Sequence, residues 1–143
     1  MLQIEILPTS PTETNEFEKA EWSAVDEEHW GREIEWKLVD YRFKALLDGK
    51  IAGIIFGKFE AGTTYVDNII TGKEFRGREV GTKLMEFIEN WTLEQGGHKV
   101  WLVTHKKWRA NSLYLKLGYQ VTATLKKHFL TEDFLLYEKF LTE

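Results

Sequence analysis

The stretch Thr71-Gly-Lys-Glu-Phe-Arg-Gly-Arg-Glu-Val-Gly-Thr-Lys83 joins a predicted strand to a predicted amphipathic helix through a loop rich in glycine and basic residues. The glycines are Gly72, Gly77 and Gly81, and the basic residues are Lys73, Arg76, Arg78 and Lys83. A helix start leaves up to four backbone N–H groups without a partner and carries a partial positive charge. Because glycines let a phosphate approach such groups closely, the stretch favours a diphosphate ligand.

Two common phosphate-binding motifs do not occur in this stretch. It lacks Gly-Lys-Ser/Thr at the P-loop spacing, and it lacks the Gly-x-Gly-x-x-Gly fingerprint of dinucleotide-binding folds. An alternative interpretation is a glycine-containing turn whose charges are merely solvated.

The elements around the loop follow from hydrophobic periodicity. Strands are predicted at residues 2–7, 42–47, 51–59, 64–71, 99–104, 119–129 and 134–141. Two short helices are expected within 11–38, a third from Val80 and a fourth over 110–117. The strand–helix–strand order makes the strands at 64–71 and 99–104 parallel neighbours. No linker or repeat divides the chain, so residues 1–143 are predicted to form one domain.

Composition limits the class of protein. The chain has 143 residues, of which 43% are hydrophobic and 14% aromatic, which is enough for a packed core. A net charge of −4 argues against a general nucleic-acid binder, and the lack of Cys excludes disulfides and thiolate metal sites. Neither a signal peptide nor a membrane-length apolar stretch occurs, so a cytoplasmic protein without a membrane partner is expected.

Two segments carry a resemblance to a known family. Arg76-Gly77-Arg78-Glu79-Val80-Gly81 is similar to the loop Gln/Arg-x-x-Gly-x-Gly/Ala of the GNAT superfamily of CoA-dependent N-acetyltransferases. Residues 107–119 resemble that family's Asn-x-x-Ala-x-x-Leu-Tyr-x-Lys-x-Gly-Phe, with matches at Ala110, Leu113, Tyr114, Lys116 and Gly118. Glu79 replaces the central loop glycine, Lys107 replaces the Asn, and Tyr119 is a mild change.

The resemblance implies an α/β (α+β) fold with a mixed, mostly antiparallel sheet that is splayed at its centre and has helices on both faces. Acyl-CoA, expected as acetyl-CoA, would lie between the strands at 64–71 and 99–104. Backbone groups of Ile69, Ile70 and Thr71 would hold the pantetheine arm. The pyrophosphate would lie on the amides of Arg76, Gly77, Arg78, Glu79, Val80, Gly81 and Thr82, with Lys107 nearby. Glu79 is expected in the first helical turn, with its side chain toward solvent.

Two residues are predicted to carry the chemistry. Tyr114 matches the family tyrosine that faces the CoA sulfur, so it is the candidate general acid; the alternative is a core tyrosine on an apolar stripe. Asp67 is the candidate base, because strand alternation places Tyr65, Asp67, Ile69 and Thr71 on one face, toward the cleft. The alternative for Asp67 is a solvated edge or a structural ion pair.

The predicted function is transfer of an acetyl group from acetyl-CoA to a primary amine of a small molecule or peptide. Glu28 and Trp30 belong to an acidic, aromatic segment that would suit a cationic acceptor, although a solvated helix face is the alternative. His98, His105 and His128 lack ligand spacing, so no metal is expected. The open alternatives are a non-catalytic acyl-CoA-binding regulatory module and an unrelated nucleotide-binding protein; a homodimer is expected only by analogy.

Overall fold

The computed structural model describes residues 3–142, which divide into two compact units. The first is a helical unit that extends to Trp36, and the second is a sheet unit that begins at Lys37. No helix among the described residues has the length and hydropathy needed to cross a bilayer.

The helical unit contains one long helix, α1, from Pro11 to Trp30. It ends at Gly31, whose left-handed φ of 71° directs its N–H to the Glu27 carbonyl. The prediction of two short helices is therefore wrong. The segment from Ser23 to Asp26 does not break α1. The Asp26 carboxylate accepts hydrogen bonds from the Ile34 N–H and the Trp36 indole, both at 3.2 Å and outside the helix, so it does not compete for the backbone of α1.

The predicted first strand is also wrong. Residues 3–7 have no strand conformation, and no ladder within residues 3–142 includes them. Alternation alone does not make a strand, since its backbone groups need a partner strand. Leu2, the first residue of that prediction, lies outside the described residues.

The sheet unit is built on six strands in the order β1-β2-β3-β4-β6-β5. Their bounds are β1 Val39–Leu47, β2 Lys50–Glu60, β3 Thr63–Thr71, β4 Lys99–His105, β5 Gln120–Leu125 and β6 Phe134–Phe140. Helix α2, Val80–Glu94, joins β3 to β4, and α3, Ala110–Lys116, joins β4 to β5. Only β3 and β4 are parallel, as predicted, and the other neighbours are antiparallel. The mixed, mostly antiparallel sheet is confirmed.

Strand β5 is shorter than predicted. It stops at Leu125 instead of continuing to Phe129. The chain then turns through Lys127, Leu130 and Thr131, which all adopt positive φ values between 47° and 60°. Left-handed residues cannot continue a strand, and hydrophobic composition alone does not reveal them.

Helix α2 packs on one face of the sheet and supplies much of its core. Met85 and Ile88 are fully buried. Gly53 of β2 makes the close approach possible, because a Cβ there would lie 2.9 Å from the Val80 Cγ1. At the far end, the Thr64 and Thr92 hydroxyls share a buried 2.6 Å hydrogen bond. The apolar stripe predicted on this helix thus anchors it beside the central strands.

The sheet opens at its centre. The parallel ladder pairs Thr63–Val66 with Lys99–Leu102 and goes no further, although β3 continues to Thr71 and β4 to His105. The predicted splay is therefore confirmed. Beyond Val66, β3 keeps its antiparallel partner β2, and no strand formed by residues 3–142 pairs with its other side.

Candidate active site

A groove of about 550 Å³ lies where β3 and β4 have parted. Ile69, Ile70 and Thr71 of β3 form one wall, and Trp108, Ala110 and Tyr114 form the other. Three basic residues, Arg76, Lys107 and Arg109, also border the groove. Deeper between the strands lies a smaller cavity of about 130 Å³, the cleft, which Asp67, Thr104 and Tyr114 border.

The start of α2 forms the other end of this groove. Its first helical hydrogen bond runs from the Lys83 N–H to the Glu79 carbonyl at 2.9 Å. The N–H groups of Val80, Gly81 and Thr82 precede that bond, so they have no carbonyl of their own helix to bond. They border a cavity of about 210 Å³. This cavity and the groove share Thr71, Arg76, Gly81 and Leu113 as lining residues.

Gly81 lets the start of α2 pack closely against β3 and α3. A Cβ on Gly81 would lie 3.2 Å from the Leu113 side chain and 3.7 Å from the Thr71 hydroxyl. The helix start, the end of β3 and α3 therefore meet at a position where little space exists for a side chain. Free amides, a positive helix end and exposed Arg76 and Arg78 fit an anionic diphosphate.

Glu79 lies just before α2 instead of in its first turn, which corrects the prediction. It is the N-cap, with φ 62° and ψ 20°, and its side chain makes no capping hydrogen bond. Its backbone therefore has the left-handed conformation that glycine adopts without strain. Because Glu79 is not glycine, this backbone conformation is strained. Its side chain is exposed, and the residue borders the cavity at the start of α2.

Tyr114 is a core residue that also borders the groove, and its assignment as general acid stays a prediction. Its ring is buried, 5.5 Å from that of Tyr137 and 6.2 Å from that of Tyr119. The same residue borders both the groove and the cleft. Burial, followed by the neighbouring Tyr137, raises the pKa of Tyr114 to about 12, so its hydroxyl holds its proton at neutral pH.

Asp67 lies at a β-bulge. In the β2–β3 ladder Phe56 pairs with Asn68 and Gly57 with Val66, so Asp67 has no partner on β2. The predicted alternation is therefore wrong: the Tyr65 ring contacts the Trp101 ring at a centroid distance of 4.3 Å, whereas Thr71 faces Gly81 of α2. Tyr65 and Thr71 lie on opposite faces, yet the exposed Asp67 still borders the cleft.

Sequence reasoning missed Trp108 and the residue that fixes its loop. The Asn111 amide donates to the carbonyls of His105 at 2.9 Å and Trp108 at 2.7 Å, and its oxygen accepts a 2.6 Å bond from the Tyr137 hydroxyl. This network holds the segment that carries Lys107 and Trp108 at the groove. The sequence could have indicated this fixed loop through Asn111, because an Asn near the start of a helix readily forms side-chain hydrogen bonds to the neighbouring backbone.

The remaining predicted residues lie elsewhere in the chain. Glu28 and Trp30 are exposed in the last turn of α1, within the helical unit. Their assignment to acceptor binding stays a prediction. Within residues 3–142, no group of three His, Cys, Asp or Glu side chains is placed to hold a metal ion.

Comparisons with known proteins point to one family. A model of the acetyltransferase (GNAT) family matches residues 11–119. An uncharacterised N-acetyltransferase of Methanocaldococcus jannaschii is 27% identical over 89 residues, which cover 61% of this chain. The match spans only 57% of that relative's length.

Solved structures share the fold. An acetyltransferase from Bacillus cereus superposes with a TM-score of 0.73 at 20% identity, covering 96% of this chain and 97% of its own. An aminoglycoside 6'-N-acetyltransferase complexed with coenzyme A gives a TM-score of 0.66 at 14% identity, covering 73% and 74%. Identities this low establish similarity of fold alone.

We predict that Glu79→Asn stabilises the protein by about 1 kcal/mol, because Asn tolerates a left-handed backbone and is a better N-cap than Glu. Urea denaturation measures the change. Glu79→Ala is the matched control, since it removes the carboxylate but keeps the strained φ. Equal stabilities for the Asn and Ala variants would contradict the assignment of strain to this position.

Proposed function

This chain belongs to the acetyltransferase (GNAT) family, and from that premise we propose that it transfers an acetyl group from acetyl-CoA directly to a primary amine of a small molecule or peptide. The observation that carries the proposal is a groove that shares lining residues with two smaller cavities. One cavity lies at the start of α2 with its free amides, and the other is the cleft, which Tyr114 and Asp67 border.

The groove suits a long, anionic thioester. The amides from Arg76 to Thr82 are assigned to the pyrophosphate, where a helix start and nearby basic side chains favour negative charge. Ile69, Ile70 and Thr71 are assigned to the pantetheine arm, because beyond Val66 the free edge of β3 offers backbone groups to an extended ligand. Lys107 borders the groove on the opposite wall.

Acetyl transfer forms a C–N bond and breaks a C–S bond. The acceptor must first lose a proton, since an alkylammonium has a pKa near 10. Asp67 is assigned to accept that proton, directly or through water, and a backbone N–H of β3 to polarise the thioester carbonyl. Tyr114 is assigned to give hydrogen-bonding support, and finally a proton, to the departing sulfur.

The high pKa of Tyr114 constrains how it acts. Full transfer of its proton to a thiolate is uphill by about 3 to 4 pKa units, because a thiol has a pKa near 8.5. Tyr114 therefore contributes mainly a hydrogen bond to the charge that develops on sulfur. An ammonium acceptor releases two protons in all, one before it attacks the thioester and one when the tetrahedral intermediate collapses. One of them replaces the proton that Tyr114 gives to the sulfur, and the other passes to solvent.

A second candidate is a non-catalytic acyl-CoA-binding module, which the departures at Glu79 and Lys107 favour. Thiol release from acetyl-CoA with a panel of primary amines separates the two. We expect turnover with at least one amine; tight CoA binding without turnover would support the binding module.

Glu79→Gly should alter the Kd for CoA by less than about tenfold, and a larger gain in affinity would show that Glu79 obstructs the site.

We predict that Tyr114→Phe lowers kcat by about 10²- to 10⁴-fold while the Kd for acetyl-CoA changes little, because the ring stays and only the donor is lost. Steady-state kinetics and calorimetry measure the two effects. Tyr119→Phe, which removes a buried hydroxyl bonded to Glu89, is the matched control. Unchanged turnover in Tyr114→Phe would return this residue to a purely structural role.

We predict that Asp67→Asn reduces turnover at neutral pH and that the loss shrinks as the pH approaches 10. At high pH the free amine is abundant, so a base contributes less. The pH–rate profile tests this, with Asp48→Asn in the β1–β2 turn as the control. A variant profile parallel to that of the parent at every pH would remove Asp67 from proton transfer.

A further inference from the structure

The bulge at Asp67 coincides with the opening of the sheet. On one side of β3, the ladder to β2 skips Asp67 between Val66 and Asn68. On the other side, the ladder to β4 ends at Val66. A bulge bends its strand and increases the local twist. The irregularity is therefore placed where β3 must turn away from β4, and the residue that it leaves unpaired borders the cleft.

Gly57 of β2 makes room for this bend. A Cβ on Gly57 would overlap the Tyr65 carbonyl oxygen and would lie 2.7 Å from the Tyr41 hydroxyl and 2.9 Å from the Asp67 nitrogen. The backbone on both sides of the bulge thus occupies the space that a side chain would need. No other residue type fits there without displacing β3.

Tyr41 of β1 holds the backbone that bends over Gly57. Tyr41 and Gly57 are partners in the β1–β2 ladder, and the Tyr41 side chain reaches past Gly57 to the third strand. Its hydroxyl donates a 2.9 Å hydrogen bond to the Tyr65 carbonyl, two residues before Asp67. The Tyr41 ring is buried, 5.2 Å from the Trp91 ring of α2, so the hydroxyl has little freedom to move.

The Tyr41 hydroxyl lies close enough to Asp67 for an electrostatic interaction with its carboxylate. Burial, followed by the Asp67 carboxylate and then Tyr65, raises the pKa of Tyr41. The hydroxyl therefore stays protonated and donates throughout the working pH range. Tyr41 does not border the cleft. It borders a separate cavity of about 320 Å³, which Gly57 and Asp67 also border.

We infer that the Tyr41 hydroxyl and the side-chain-free Gly57 form a support that sets the bulge at Asp67, and that Tyr41 is a positioning residue for acetyl transfer. This inference rests on the proposed function for its catalytic consequence. The claim that Tyr41 and Gly57 set the bulge concerns the shape of β3 and does not depend on that function. Loss of the hydroxyl should let the segment from Tyr65 to Asn68 relax, which moves the Asp67 carboxylate out of its place in the cleft.

The first test needs no substrate. Amide hydrogen exchange is measured for the wild-type protein, Tyr41→Phe and the control Tyr119→Phe, which loses a hydroxyl bond to Glu89 of α2 and none to β3. We expect exchange at the amides from Tyr65 to Asn68 to accelerate about tenfold in Tyr41→Phe and to remain unchanged in the control. Unaltered exchange at these amides would overturn the inference, whether or not the protein proves to be an acetyltransferase.

The second test is a kinetic double-mutant cycle between Tyr41→Phe and Asp67→Asn. If Tyr41 acts through Asp67, Tyr41→Phe lowers kcat by about 10- to 100-fold with little change in the Kd for CoA, and the double variant is no slower than Asp67→Asn alone. Rate losses that multiply would overturn the positioning role. A wild-type protein that binds CoA without turnover would instead refute the proposed function, and the exchange result distinguishes that outcome.

Discussion

The structure depends on a backbone constraint in β3. Between Thr63 and Val66 the strand bonds β2 on one side and β4 on the other, and after Val66 it keeps only β2. Unpaired backbone N–H and C=O groups inside a protein are costly, so this free edge needs water or a ligand. An extended ligand with amide groups of its own satisfies it. The groove, the cleft and the proposed site of acetyl transfer all follow from that single parting of two strands.

Local strain and close approach cluster around this opening. Gly53, Gly57 and Gly81 each stand where a side chain would collide with or press against a neighbouring element, and Glu79 holds a left-handed backbone without the benefit of being glycine. Strained positions persist when the surroundings fix them, and they gather at sites where a ligand requires an unusual backbone. The surrounding loop therefore holds Glu79 in a left-handed conformation in spite of its side chain.

Sequence patterns predicted the features that have local causes. The helix start at Val80 and the parallel pairing of β3 with β4 could be read from the loop motif and the order of elements. The bulge at Asp67 could not, because strict alternation assumes an unbroken period of two and the cause lies in Gly57 and Tyr41, on other strands. The continuity of α1 was missed for a similar reason, since Asp26 is satisfied by Ile34 and Trp36 beyond the helix.

The most direct measurement is a crystal structure of the protein with CoA bound. We expect the pyrophosphate oxygens to lie about 3 Å from the backbone nitrogens of Val80, Gly81 and Thr82, with the pantetheine arm along β3. The sulfur should face the Tyr114 hydroxyl beside Asp67. A CoA molecule bound away from the parted strands, or held by surface basic side chains with the cleft left empty, would contradict the account.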